Sequence, residues 1–133
     1  MPNSPDDAQL ATRVRRMFDT VLNERHVESI GDFIAEDVVD HSPAPGQVAG
    51  RAGIEQMVGV LLGANPALRV TVDDVIVQGD RVAVRETWET VNGVQHIAHF
   101  FRFAGERIVE EWSMGWGDPP APPEQEASPP VST

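Results

Sequence analysis

The fold of this chain is decided by residues 82–116, which read VAVRETWETVNGVQHIAHFFRFAGERIVEEWSMGW. Asn92-Gly93 separates two runs in which apolar and polar residues alternate, as they do in strands that bury one face. Asn and Gly both tolerate the positive φ that the two central residues of a type I′ turn require. The sequence therefore predicts a β-hairpin with a two-residue loop, in which Val91 faces Val94.

The predicted register places four pairs of side chains on one face of this hairpin: Val82 with Phe103, Val84 with Phe101, Glu86 with His99 and Trp88 with Ile97. Most of these side chains are apolar, so we expect this face to be buried. Glu86 and His99 are the two exceptions, and the register makes them neighbours. A carboxylate orients an imidazole and raises its pKa, as proton transfer requires. The pair is therefore a candidate catalytic pair. The alternative is a structural pair in the core, in which each side chain satisfies the hydrogen bonds of the other.

Composition excludes several classes of function. The chain has 133 residues, enough for one domain with a core, and it carries a net charge of −11. Because its ten basic residues are scattered arginines, we expect no binding to nucleic acid or to an anionic membrane. The absence of cysteine and tyrosine excludes thiolate catalysis, cysteine zinc sites and a catalytic phenol. The polar N-terminus and short apolar runs predict a cytoplasmic protein.

The residues before the hairpin predict helices that pack on one face of a sheet. Ser4 as N-cap and Pro5 as first helical residue begin a helix that runs to about Asn23. The spacing of apolar residues then predicts helices at 27–34 and 51–63, and strands at 38–41, 68–78, 81–91, 94–103 and 108–116. This order is typical of an α+β domain, here residues 4–117. The acidic, proline-rich residues 118–133 are expected to form a disordered tail.

Polar residues at strand ends are candidate ligand contacts, because pockets open beside loops. Asp40 and His41 end the first strand, just before a proline-rich loop. His41 shares a face with the apolar Val39, which favours His41 as the residue that points inward.

The turn at residues 104–107 decides which residue of the last strand lies opposite His99. A two-residue loop places Trp112 there, and a three-residue loop places Ser113 there instead. His96 lies on the opposite face from His99, across from Glu89, so we predict no metal site.

Three segments of the chain resemble one protein family. FIAEDVVDHSP (33–43) is similar to the family's acidic–acidic–x–x–x–His–x–Pro segment, and GDRVAV (79–84) to its Gly-Asp-x-Val hairpin. FRFAGERIVEEW (101–112) is similar to the segment that ends the family's domain, Phe-Arg-x-x-Gly-Lys-Ile-x-Glu-x-Trp. Over residues 10–117 the chain resembles the SnoaL-like polyketide cyclases of the nuclear transport factor 2-like superfold. The resemblance implies a cystatin-like cone, in which a curved, mainly antiparallel sheet wraps around a long N-terminal helix and encloses a hydrophobic pocket, and it implies a homodimer.

The resemblance also implies a cofactor-independent cyclase or isomerase, which acts by acid–base chemistry on a hydrophobic, carbonyl-bearing small molecule such as a polyketide. His99 matches the family's pocket histidine and would shuttle the proton, with Glu86 as its orienter or as the replacement acid/base. The family's acid–base aspartate falls on Ser113, which would hold a substrate oxygen. The expected substrate contacts are Met17, Phe18, Asp40, His41, Trp88, Phe101 and Trp112.

Two alternative functions follow from departures from the family pattern. A non-catalytic domain that binds a hydrophobic ligand, or only dimerises, is favoured by the missing aspartate. Epoxide opening of the limonene-epoxide-hydrolase type would require the motif Arg-x-Asp. The corresponding residues in this chain are Arg85-x-Thr87, which lack the aspartate.

Overall fold

The computed structural model describes residues 5–117, in which helices are followed by a sheet. The elements are α1 (Asp7–Met17) with a π-helical continuation (Phe18–Asn23), a 3₁₀ turn (Val27–Ser29), α2 (Ile30–Phe33), β1 (Ile34–Asp40), α3 (Gly50–Ala64), β2 (Arg69–Gln78), β3 (Arg81–Thr90), β4 (Gly93–Ala104) and β5 (Arg107–Gly117). The strands form a five-stranded sheet in the order β1-β5-β4-β3-β2. Only the β1–β5 pair is parallel among these described strands. The predicted α+β class is confirmed.

The N-terminal helix begins two residues later than predicted. Asp6 is the N-cap: its carboxylate accepts a hydrogen bond from the Gln9 N–H, and the Gln9 side chain accepts one from the Asp6 N–H. This reciprocal capping box satisfies two backbone donors at once, so the prediction of Pro5 as first helical residue is wrong, while Ser4 lies outside the described residues. The predicted end at Asn23 is confirmed.

The helices bury their apolar stripes against the inner face of the sheet. The buried core side chains come from the helices and the strands, and they include Leu10, Val14, Phe18, Ile54, Val82, Val84, Phe101 and Phe103. Asn23 joins the helix end to the edge strand β2, because its amide bonds both the N–H and the carbonyl of Val70 at 2.8 Å. The face of the hairpin that the sequence predicts as buried is the buried one.

The β3–β4 turn lies one residue earlier than predicted. Thr90 pairs with Gly93, and Val91-Asn92 form the turn. Only Gly93 takes a positive φ (+105°), whereas a type I′ turn at Asn92-Gly93 would need two. The Thr90 hydroxyl accepts a hydrogen bond from the Asn92 N–H and donates one to the Gly93 carbonyl. Asn65, at the end of α3, accepts a third bond from the Val91 N–H, so tertiary contact helps to hold this turn.

The shifted turn changes every predicted pair of the hairpin by two residues. The observed partners are Val82 with Phe101, Val84 with His99, Glu86 with Ile97, Trp88 with Gln95 and Thr87 with His96. A shift of two keeps each side chain on its predicted face, because side chains alternate with period two. Glu86 and His99 therefore still share the inner face, as diagonal neighbours instead of direct partners.

The predicted tail, residues 118–133, lies outside the described residues. Within residues 5–117, no helix is long and apolar enough to cross a membrane.

Candidate active site

A bulge in β5 decides which of its side chains face inward. Ala104 pairs with Arg107 around a two-residue turn, and Phe103 pairs with Ile108. The next pair away from the turn is Arg102 with Glu110, so Val109 has no partner on β4. Beyond this point Ser113 lies opposite His99, although the loop has two residues. The predicted link between loop length and facing residue is therefore wrong, because the bulge supplies the extra residue that a longer loop would have supplied.

The inner face of the sheet and the helices enclose a cavity with a water-accessible volume of about 70 Å³. Its walls are mostly apolar, with contributions from Met17, Phe18, Leu22, Val58, Trp88 and Phe101. Met57 and Leu61 of α3 also line it and are not fully buried. Among the described residues that line the cavity, only His99 and Glu111 ionise.

His99 is held by a buried carboxylate. Its Nδ1 lies 2.9 Å from both oxygens of Glu86, which is completely buried. Trp88 Nε1 donates a second hydrogen bond to Glu86 Oε1, at 3.0 Å. The imidazole packs against Phe18 and Phe101, with ring centroids at 5.6 Å and 5.2 Å. Because Nδ1 is engaged, Nε2 is the nitrogen left to act on a ligand, and it bonds no other residue within 5–117.

The charges around His99 favour its protonated form. Burial alone lowers the pKa of an imidazole, but the hydrogen bond and charge of Glu86 oppose burial, with further help from Glu111 and Asp40. The net result is a pKa of His99 that is raised above its ordinary value.

Glu111 is the residue that the sequence reasoning missed. Its side chain is 6% exposed, faces the cavity, and makes no hydrogen bond or ion pair with another described residue. Burial raises the pKa of Glu111 to about 7; the charge of His99 opposes this shift, while Asp40 and Glu86 add to it. In an unbulged ladder Glu111 would pair with Phe100 and face outward, so only a predicted bulge would have identified it.

At the end of β1, the side chains of Asp40 and His41 lie on the opposite faces of the sheet from those predicted. Asp40 pairs with Glu111 and lies on the inner side, where its carboxylate accepts hydrogen bonds from the Ser42 N–H and from Gln47. His41 lies on the outer face, stacked on Trp112 with ring centroids 4.5 Å apart. The inference from Val39 failed because Val39 itself is about half exposed, whereas Val38 is the buried valine of β1.

The predicted site residues thus separate into two groups. Met17, Phe18, Trp88, His99 and Phe101 line the cavity, with Glu86 directly behind His99. Asp40, His41, Trp112 and Ser113 are not among the residues that line it.

His96, considered as a metal ligand, and Arg85, considered for epoxide opening, both lie on the outer face of the sheet. His96 lies near Trp116, with ring centroids 6.0 Å apart, on the face opposite His99 as predicted. Arg85 is more than half exposed and pairs with Asp74. The arginine that epoxide opening would use therefore lies away from the cavity.

Comparison with known proteins identifies one family. The family model described as SnoaL-like domain matches residues 14–111. No curated protein matches the chain.

Several solved structures share the fold. IdmH of Streptomyces antibioticus is 22% identical, with a TM-score of 0.71 over 80% of this chain and 91% of its own. A SnoaL-like polyketide cyclase of Agrobacterium tumefaciens is 21% identical, with a TM-score of 0.69 over 80% and 90%. A nuclear transport factor 2-like protein of Mesorhizobium loti, of unknown function, is 27% identical, with a TM-score of 0.67 over 85% and 97%. These likenesses confirm the predicted fold.

Proposed function

The chain belongs to the SnoaL-like domain family, and on this premise we propose that it is a cofactor-independent cyclase or isomerase of a hydrophobic, carbonyl-bearing small molecule. One observation carries the proposal: an unpartnered carboxyl group, Glu111, and a carboxylate-held imidazole, His99, face the same apolar cavity. Acid–base catalysis needs an acid and a base whose pKa values lie near neutral pH. A Glu111 pKa of about 7 meets this requirement for the base.

The proposed first step is enolisation. The Glu111 carboxylate takes a proton from the carbon beside the substrate carbonyl, and the electron pair of that C–H bond becomes the double bond of the enol. His99 Nε2 donates a proton to the carbonyl oxygen, while its Nδ1 stays bonded to Glu86. In ring closure, the enol carbon attacks a second carbonyl carbon, whose oxygen takes the proton held by Glu111, while the enol oxygen returns its proton to His99. In isomerisation, Glu111 delivers its proton to another carbon of the conjugated enol, the enol oxygen returns its proton to His99, and the double bond shifts. The apolar walls keep water from the enol.

Glu111 supplies the carboxyl group that the family aspartate would have supplied. Glu111 and Ser113 are two residues apart on β5 and lie on the same face of the sheet, so the carboxyl group is displaced by one inward position. In this proposal Ser113 is not the base, because a serine hydroxyl does not ionise near neutral pH.

The size of the cavity sets how much of a substrate it encloses. Since a water molecule needs roughly 10–15 Å³ of such volume, 70 Å³ accommodates about five or six non-hydrogen atoms. Only the reacting end of a polyketide would enter, and the rest would remain outside the cavity.

Enolisation can be tested without the native substrate. In D₂O, the protein should accelerate exchange of the α-hydrogens of methyl isopropyl ketone for deuterium, followed by NMR, above the rate in buffer alone. His99→Ala and Glu86→Gln should each lower the accelerated rate by roughly 100-fold or more, because they remove the acid or its orienting partner. The rate should rise with pH through about 7, as Glu111 ionises.

Two outcomes would overturn the proposal: no exchange above buffer with any neutral ketone of this size, or wild-type rates in both variants. A saturable thermal shift with aromatic polyketides, in the absence of turnover, would instead favour a ligand-binding domain.

A further inference from the structure

We infer that the cavity also binds small apolar amines as ammonium ions, with the Glu111 carboxylate as their counter-ion. This ligand class goes beyond the proposed carbonyl chemistry, and its binding does not require turnover.

The charge balance around Glu111 favours a cation. Glu86, Glu111 and Asp40 contribute three carboxyl groups, and His99 contributes the one basic group of this cluster. The chain contains no lysine, and no arginine is among the described residues that line the cavity. Even with His99 protonated, the ionised cluster therefore carries a negative charge that no neighbouring side chain balances. A carboxylate ligand would add to this imbalance, whereas an ammonium ion reduces it.

Glu111 is the specific anchor for such a cation. Glu111 is only 6% exposed and lines the cavity, and its carboxyl group makes no hydrogen bond or ion pair with the residues that the structure describes, so its oxygens open onto the cavity. Glu86 differs, because its oxygens already bond His99 and Trp88. A carboxylate with so little access to water is costly, and a charge-assisted hydrogen bond from a ligand reduces that cost. An ammonium group offers up to three such donors.

The walls of the cavity suit the apolar part of the same ligand. Phe18, Trp88 and Phe101 line the cavity, and aromatic faces attract cations at short range. Leu22, Val58 and their neighbours provide apolar contact for a short alkyl group. The volume of about 70 Å³ limits the ligand to about six non-hydrogen atoms.

Binding should be coupled to the release of a proton. The groups that face Glu111 are His99 from β4, Glu86 from β3 and Asp40 from β1, while the helices contribute only apolar side chains to the described lining. Below about pH 7 the free protein holds Glu111 protonated, and an ammonium ion that binds must displace that proton. Above this pH the carboxylate is already ionised, and the affinity should reach its plateau.

Calorimetric titration with three ligands of nearly equal size tests the inference: isopentylamine, isopentyl alcohol and isovalerate. At about pH 8 the amine should bind at least about tenfold more tightly than the alcohol, and isovalerate should bind least. Glu111→Gln should remove the advantage of the amine, whereas Glu110→Gln, on the outer face of the same strand, should keep it.

A measurement on the wild-type protein covers the case in which Glu111→Gln fails to fold. At about pH 5.5 the apparent enthalpy should change with the ionisation enthalpy of the buffer, as expected for release of close to one proton per bound amine. Equal affinities for amine and alcohol, or no proton release at about pH 5.5, would overturn the inference. Ketone exchange is measured separately, so a failure of one proposal leaves the other to its own test.

Discussion

Glu110 and Glu111 are neighbours in the chain but lie in opposite environments. Glu110 is on the outer face, where its carboxylate accepts a hydrogen bond from Arg102 Nε at 2.6 Å and lies 3.3 Å from His41 Nε2. These partners, Arg102 above all, lower the pKa of Glu110. Glu111 faces the cavity, where burial raises the pKa of its carboxyl group to about 7. The same side chain is thus a surface ion-pair partner at one position and a candidate acid/base at the next.

The difference between the two glutamates depends on a single extra residue in β5. Val109 has no partner on β4, and every residue beyond it changes face relative to the turn. Without that bulge, Glu110 would lie across from Phe101 on the inner face, and Glu111 across from Phe100 on the outer face. Local backbone geometry, more than residue type, therefore decides which glutamate can do chemistry.

The largest expected effect is on turnover. Glu111→Gln should lower the ketone exchange rate by roughly 100- to 10,000-fold, because the amide cannot accept the proton. Glu110→Gln should stay within a few-fold of the wild-type rate, because Glu110 lies outside the cavity. Deuterium exchange of methyl isopropyl ketone, followed by NMR for both variants, makes the comparison. Equal losses in the two variants would show that the faces of β5 do not separate these roles.

The second expected effect is on the free energy of unfolding, which should be larger for Glu111→Gln than for wild type above pH 7. Because the folded-state pKa of Glu111 is raised, its contribution to stability is fully present below about pH 4.5 and is lost as the pH rises through about 7. At about 1.4 kcal/mol per pKa unit, the loss is about 3 kcal/mol. Glu111→Gln cannot ionise, so above pH 7 it should unfold at a higher denaturant concentration than wild type. Denaturant unfolding across this pH range measures the difference, and a variant less stable than wild type above pH 7 would contradict the assignment.

The smallest effect should come from Glu110 and should have the opposite sign. The pKa of Glu110 is lowered, so its contribution is present above its unfolded pKa and is lost as the pH falls. Glu110→Gln should therefore slightly destabilise the protein at neutral pH, and the difference from wild type should vanish in acid and shrink in high salt, as for exposed ion pairs. Thermal unfolding of both proteins at low and high salt measures this effect. A loss as large as the change at Glu111 would mean that Glu110 is not a surface residue.

Much of the fold could be predicted because it depends on local patterns. The alternation in residues 82–103 identified the buried face, and helical spacing located α1 with its continuation and α3 to within a few residues. The meeting of Glu86 with His99 was also predicted, although from a register that is wrong by two residues. The prediction survived this error because a shift by two preserves the face and leaves diagonal neighbours within reach.

The rest of the candidate site depended on contacts that no local pattern specifies. His41 was expected to point inward from the hydrophobicity of Val39 alone, but the pairing of β1 with β5 places Asp40 on the inner side instead. Trp112 and Ser113 were left as alternatives that depended on loop length, and a bulge decided between them. Glu111 was not considered, because its direction depends on that same bulge.

The sequence by itself determined the α+β class, the buried face of the β3–β4 hairpin and the presence of a histidine and a glutamate on that face, because the periods of helices and strands are local properties of the chain. The tertiary structure alone decided the register of the hairpin, the orientation of the β1 end and the inward direction of Glu111. These features depend on hydrogen bonds and packing between segments far apart in the chain, such as Asn65 on Val91 and β1 on β5. The face on which a side chain lies follows from alternation, but the environment of that side chain follows from its partners across the sheet.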